Sequence, residues 1–173
     1  MRGTGGEAAT DARSPADAVR FERRALDGLE PRALFELMRL RVEVFVVEQA
    51  CPYPELDDLD VHPGTRHVLA RLDDRLVGCA RTIAPGSAAE PARIGRVAVR
   101  DGYRGAGMAG AMMRWTIAAL AREHPRHDVT LGAQLAVERF YAALGFARVS
   151  DEYVEDGIAH VAMTRPHAPH GRD

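Results

Sequence analysis

Residues 102–110 read GYRGAGMAG, between the apolar run at 94–99 and the apolar stretch that begins at Met108. A glycine-rich loop that follows a strand and opens a helix turns backbone N–H groups toward an anion. Which anion it holds decides the fold. Gly105-x-Gly107-x-x-Gly110 spells the letters of a dinucleotide-binding turn. That turn needs its first glycine directly after the strand and a carboxylate about twenty residues on, at the end of the next strand. Here residues 101–104 intervene, and the next strand ends in Leu131-Gly132-Ala133-Gln134, with no acid. The dinucleotide reading fails on context. What remains is a loop over residues 104–109 that either receives another anion, with Arg104 as an added donor, or lets the helix pack close to the sheet.

Residues 21–29 read as a first strand. Pro31 then suits the first position of a helix, and Leu34, Leu37, Met38, Val42, Phe45 and Val46 recur at helical spacing, to about Glu48. Residues 50–66 combine three prolines with clustered acids, which predicts a solvated loop able to attract a cationic amine. Strands are expected at 67–71 and 76–83, joined at Asp73-Asp74, and a buried one at 94–99. After the glycine loop comes a helix over 108–123, apolar nearly all round, which predicts burial on most sides. A strand at 128–131 and a helix at 135–144, closed by Gly145, follow. Strands at 147–153 and 158–164 flank the hairpin turn Asp156-Gly157. This order predicts an α/β (α+β) class with a mixed sheet over residues 21–165, and tails at 1–20 and 166–173.

The net charge of −2 gives no pull toward nucleic acid or an anionic membrane. The chain has neither Lys nor Asn, so a Walker A lysine and a Schiff-base lysine are excluded. Every permanent cation is Arg, which suits bidentate contacts to phosphate. Cys51 and Cys79 form no CxxC pair and are expected to be reduced thiols. The first twenty residues hold no apolar leader, so a cytoplasmic location is expected.

Further stretches extend the pattern. Arg104-x-x-Gly107-x-Ala109 matches an R/Q-x-x-G-x-G/A loop. With it stand Arg41-x-x-Val44-Phe45-Val46-Val47-Glu48-Gln49, Cys51-Pro52-Tyr53 and Asp57-Asp58-x-Asp60. So do Ile94-Gly95-Arg96-Val97-x-Val99, Phe140-Tyr141-x-x-x-Gly145-Phe146 and Glu152-Tyr153-x-Glu155-Asp156-Gly157-Ile158-x-His160. This ordered set resembles the ElaA-type branch of the GNAT acetyltransferase superfamily over most of residues 21–165.

The resemblance implies a mixed, mostly antiparallel central sheet, splayed in the middle and flanked by helices, with acyl-CoA in the cleft. It implies acetyl-CoA as acyl donor, an amine-bearing small molecule, peptide or protein as acceptor, and no metal. Backbone groups of Val97, Ala98 and Val99 would bond the pantetheine arm as an added strand. Arg104, Gly105, Ala106, Gly107, Met108 and Ala109 would hold the pyrophosphate. Tyr141 matches the tyrosine that protonates the departing CoA thiolate; the alternative is a tyrosine packed between helix and sheet.

The general base stays open, because the strand Arg93-Ile94-Gly95-Arg96-Val97-Ala98 offers no acid. Candidates are Glu48, the acids Glu55, Asp57, Asp58 and Asp60, Glu152, Glu155, His67 and His160, or a water. His62 and His67 beside the loop acids match no zinc spacing. The leading function is an N-acyltransferase working by direct amine attack, and the alternative is a non-catalytic acyl-CoA-binding module. Exposed sheet edges leave homodimer formation open.

Overall fold

The computed structural model describes residues 18–167. The expected tails fall largely outside the described residues, and β1 (Val19–Arg24) begins two residues ahead of the expected domain start. Helix α1 (Pro31–Arg41) follows, with Pro31 at its first position. It runs on as a π-helix, Val42–Glu48, a wider coil than the uniform α-helix expected there. Four of its seven residues are valine, whose branched Cβ crowds a normal α-turn.

β2 (Thr65–Leu72) and β3 (Arg75–Ile83) form the expected hairpin, with Asp73 at φ 50° in its turn. β4 (Ala92–Val99) leads through the glycine loop into α2 (Met108–Glu123). β5 (Val129–Gln134), the short α3 (Glu138–Ala142) and β8 (Ile158–Arg165) complete the frame. The strand expected at 147–153 is broken into β6 (Ala147–Arg148) and β7 (Tyr153–Glu155), both paired with β8. Between them the Ser150 hydroxyl takes over a ladder position, accepting from the Ala162 N–H.

All eight strands form one sheet in the order β1-β2-β3-β4-β5-β8-β6, with β7 also on β8. Every pair is antiparallel except β4 with β5. Side-chain alternation splits the core between two faces. Val68, Ala70, Val77, Ile94 and Val99 pack under α2, whereas Leu69, Leu76, Cys79 and Ala98 pack against Leu37 and Leu40 of α1. α2 is less enclosed than its composition suggests. Met108, Met112, Met113, Thr116, Ile117, Ala119 and Leu120 are buried, while Arg114, Ala118, Ala121 and Arg122 face solvent. Its alanines made the helix look apolar all round.

The functional opening lies between β4 and β5. They pair only where Ala92 faces Val129 and Arg93 faces Thr130, then part. A bulge accompanies the parting. Cys79 faces Ala98 and Arg81 faces Gly95, so Arg96 and Val97 stand opposite Ala80 alone, with Arg96 at φ 51°. The extra residue bends β4 away from its neighbour.

Candidate active site

The parted strands, the π-helix, the glycine loop and α3 enclose a cleft of about 860 Å³. On β4 the Arg100 N–H donates to Val77 of β3 at 2.8 Å. Alternation then turns the backbone groups of Ala98 toward β3 and those of Val97 and Val99 toward the gap. The Val99 carbonyl indeed accepts from Arg104 Nε at 2.8 Å on that side. So Val97 and Val99 present a ladder edge with no strand beside it among the described residues.

Gly105 and Gly107 have φ of 80° and 79°, backbone that other residues adopt at a cost. Gly107 is the N-cap of α2, and no side chain caps the helix. The first N–H groups of α2 therefore keep their donors for a ligand, reinforced by the helix dipole. The six expected loop residues, 104–109, come together here, and all but Ala106 line the cleft with Val97, Ala98 and Val99.

Two expected site residues are tied to each other. Arg104 forks onto Glu48, Nη1 to Oε1 at 2.6 Å and Nη2 to Oε2 at 2.8 Å. The hydrogen bonds from Arg104 lower the Glu48 carboxyl pKa. A carboxylate with both oxygens engaged and a reduced proton affinity is a poor general base.

Tyr141 is 7% exposed and lines the cleft, its ring edge-on to Phe140 and Phe146. Burial alone pushes its phenol up to about 12, and its hydroxyl has no protein partner among the described residues. The residue is thus both packed and open to the cleft. His160 lines the same cleft, stacked on Tyr153 with ring centroids 5.9 Å apart. Its Nδ1 lies 2.8 Å from the Ile158 carbonyl. A carbonyl only accepts, so Nδ1 carries a hydrogen, and in the neutral ring the lone pair falls on Nε2.

The loop acids need correction. Glu55, Asp57 and Asp60 are not a solvated face that draws a cationic amine, because arginines hold them inward, and of the four acids Asp58 is the exposed one. Arg41, 1% exposed, donates to Asp60 at 2.7 Å and to the Glu55 carbonyl at 2.8 Å, and also pairs with the Glu55 carboxylate. Arg81 bridges Asp57 at 2.6 Å and Asp60 at 2.8 Å. Arg96 joins them, 3.0 Å from Glu55 and 3.2 Å from Asp57, with its guanidinium over the Tyr53 ring. Burial pushes the Asp60 carboxyl up, but hydrogen bonds from Arg41 and Arg81 outweigh it and hold it well below the ordinary range. His67, expected as a base candidate, is instead 1% exposed beneath this network, with Nε2 on the Asp60 carbonyl at 3.1 Å. Neither His67 nor Asp57, Asp58 and Asp60 line the cleft. The network pins the bulge residue Arg96, and with it the opening of β4. No local signal marked Arg96, since its role comes from contacts nearly forty residues back along the chain.

Two contacts close one end of the cleft. Gln134 Nε2 donates to Gln49 Oε1 at 3.1 Å, and the Cys51 thiol donates to the Asp156 carbonyl at 3.1 Å. Both cysteines are free. Burial drives Cys79 up to about 12, so it is an inert core thiol. Of the remaining expected acids, Glu155 lines the cleft and Glu152 does not.

Comparison with known proteins places this geometry. Residues 36–166 match the family described as acetyltransferase (GNAT) domain. The chain is 40% identical to protein ElaA of Escherichia coli K12 over 132 residues, 76% of this chain and 86% of that one. The E. coli ElaA crystal structure superposes with a TM-score of 0.80 at 36% identity, over 85% of this chain and 99% of the other. An acyl-CoA N-acyltransferase from Pseudomonas aeruginosa gives a TM-score of 0.80 at 35% identity, over 85% and 99%. The fold is thus shared with an acyl-CoA N-acyltransferase, and the chain belongs to the GNAT acetyltransferase family, in its ElaA-type branch.

Proposed function

We propose that this acyltransferase moves an acyl group, acetyl foremost, from acyl-CoA to an amine by direct attack of the neutral amine on the thioester. The observation that carries the reading is the unpaired edge of Val97 and Val99 running into the uncapped start of α2. Pantetheine amides complete the first as a strand would, and the diphosphate suits the second. The P. aeruginosa relative's description as an acyl-CoA N-acyltransferase supports the same donor.

Within this reading Arg104 holds the loop to β4 and to the π-helix, and the backbone of residues 105–109 receives the diphosphate. The amine nitrogen forms a bond to the thioester carbon, the C–S bond breaks, and the amine's surplus proton passes to His160 Nε2, directly or through water. Tyr141 donates to the departing sulfur. A phenol near 12 faces a thiol whose ordinary pKa is about 8.5. Transfer from phenol to thiolate runs uphill on these values, so it depends on the hydroxyl being positioned against the sulfur as the C–S bond breaks. Positioning supplies most of the rate, and proton transfer about 10²–10⁴-fold.

The test is turnover of acetyl-CoA with a panel of amines, following thiol release and the mass of the acceptor. Thiol release matched by an N-acetylated product is expected. Thiol release with no acylated amine, or no turnover with any acceptor, overturns the reading.

A further inference from the structure

Three arginines line the cleft: Arg96, Arg104 and Arg114. Two are already matched with acids, Arg96 with Glu55 and Asp57, and Arg104 with Glu48. Arg114 has no ion pair and no hydrogen bond among the described residues. It stands in the second turn of α2, seven residues past the N-cap Gly107.

Side chains of a helix lean toward its N-terminus. Here that lean brings the guanidinium back over Gly110, where a Cβ would lie 3.1 Å from Arg114 Nη1. Gly110 is not in left-handed backbone, so conformation does not demand a glycine there. What the glycine does is leave room for the guanidinium on the side of the phosphate loop. Arg114 is also the one residue the cleft shares with a second cavity of about 670 Å³ along the later turns of α2. It therefore marks the outer margin of the cleft, past the loop.

We propose that Arg114 is the cation that binds the phosphates at the nucleotide end of the acyl-CoA donor. The inference rests on the acyl-CoA reading above. The loop alone offers a diphosphate N–H groups and a helix dipole equivalent to about half a positive charge. The charge of Arg104 is offset by Glu48 at hydrogen-bond distance. Arg114 adds a full positive charge and a planar fork matched to phosphate oxygens. The donor has two such groups, its diphosphate and its ribose 3′-phosphate, and the chemistry of capture is the same for both.

The experiment measures dissociation constants of CoA, 3′-dephospho-CoA and pantetheine for the full chain and for Arg114→Ala, with Arg114→Lys as a charge-preserving control. Alanine keeps helix propensity at an exposed position, so the variant is expected to melt with the wild type. Loss of a charge-assisted contact weakens CoA binding roughly ten- to hundredfold, leaves pantetheine unchanged, and is largely restored by Lys. If Arg114 takes the 3′-phosphate, the wild type's preference for CoA over 3′-dephospho-CoA disappears in the alanine variant. If it takes the diphosphate, both nucleotides weaken alike. Unchanged CoA affinity in Arg114→Ala, beside a wild type that binds CoA, overturns the proposal and leaves the acyl-CoA reading standing. A wild type that binds no CoA overturns both.

Discussion

Both oxygens of Glu48 are held by the guanidinium of Arg104, at 2.6 and 2.8 Å, at the edge of the cleft. The pair joins the end of the π-helix to the phosphate loop and leaves Arg104 Nε on the Val99 carbonyl. With both oxygens engaged Glu48 is a poor base, and in the proposed reading it is a neighbour of the donor's diphosphate. Glu48→Gln removes a negative charge near the loop while Nε still anchors Arg104. The acetyl-CoA KM is expected to fall about two- to fivefold, the scale of a half-exposed ion pair, with kcat little changed. His160→Gln, which lacks the imidazole lone pair, is expected to lower kcat by about 10²–10⁴. Steady-state kinetics of the two variants decides which residue takes the proton.

Tyr141→Phe deletes a hydroxyl with no protein partner among the described residues, so folding stability should hold in a urea melt. kcat is expected to drop about a hundredfold or more with unchanged acetyl-CoA affinity. Because burial raises this phenol to about 12, it remains a proton donor across the working range. No alkaline limb from Tyr141 is expected in the pH–rate profile below about pH 10. Equal rates in the variant and the wild type would remove Tyr141 from the mechanism.

Asp60 accepts from Arg41 and Arg81 inside the protein, and Asp60→Asn leaves those guanidinium groups short of a charge. The expected cost at neutral pH is about 3–5 kcal/mol. The carboxyl is depressed in the folded state, so its stabilisation is complete above its unfolded value of about 3.9 and is lost as pH falls below it. The gap between variant and wild type should therefore shrink in acid. Burial also lowers the pKa of His67. Its folded form resists protonation, so wild-type stability should begin to fall below about pH 6.5 and continue through the carboxylate range. Urea melts across pH check both parts.

Gly107→Ala places a side chain at φ 79° with nothing within 4 Å of its Cβ. The penalty is conformational and not a clash, about 1–2 kcal/mol, or a melting point lower by a few degrees. The larger effect should be on the acetyl-CoA KM, because the N–H groups at the start of α2 lose their alignment. A variant with a lower melting point and unaltered KM would separate the loop from donor binding.

Much of this was legible along the chain. Pro31 marked the start of α1, Asp156-Gly157 marked the last turn, and the loop over 104–109 sat between β4 and α2. These signals are local, and sequence carries local signals well. The parting of β4 and β5 was legible only through resemblance, because it depends on the bulge at Arg96 and on acids far back in the chain. The same separation hid the true face of Asp57 and Asp60. A cluster of acids reads as solvated until Arg41 and Arg81 arrive from α1 and β3. Arg104 and Glu48, each plausible for a separate task, turned out to answer one another across 56 residues.

The most direct test is a crystal structure of the chain with acetyl-CoA. The diphosphate is expected on the N–H groups of residues 105–109 and the pantetheine arm along Val97 and Val99, with the thioester near the Tyr141 hydroxyl. A donor lodged elsewhere, such as the cavity beside His124 and His127, with the β4 edge left bare, would contradict that placement.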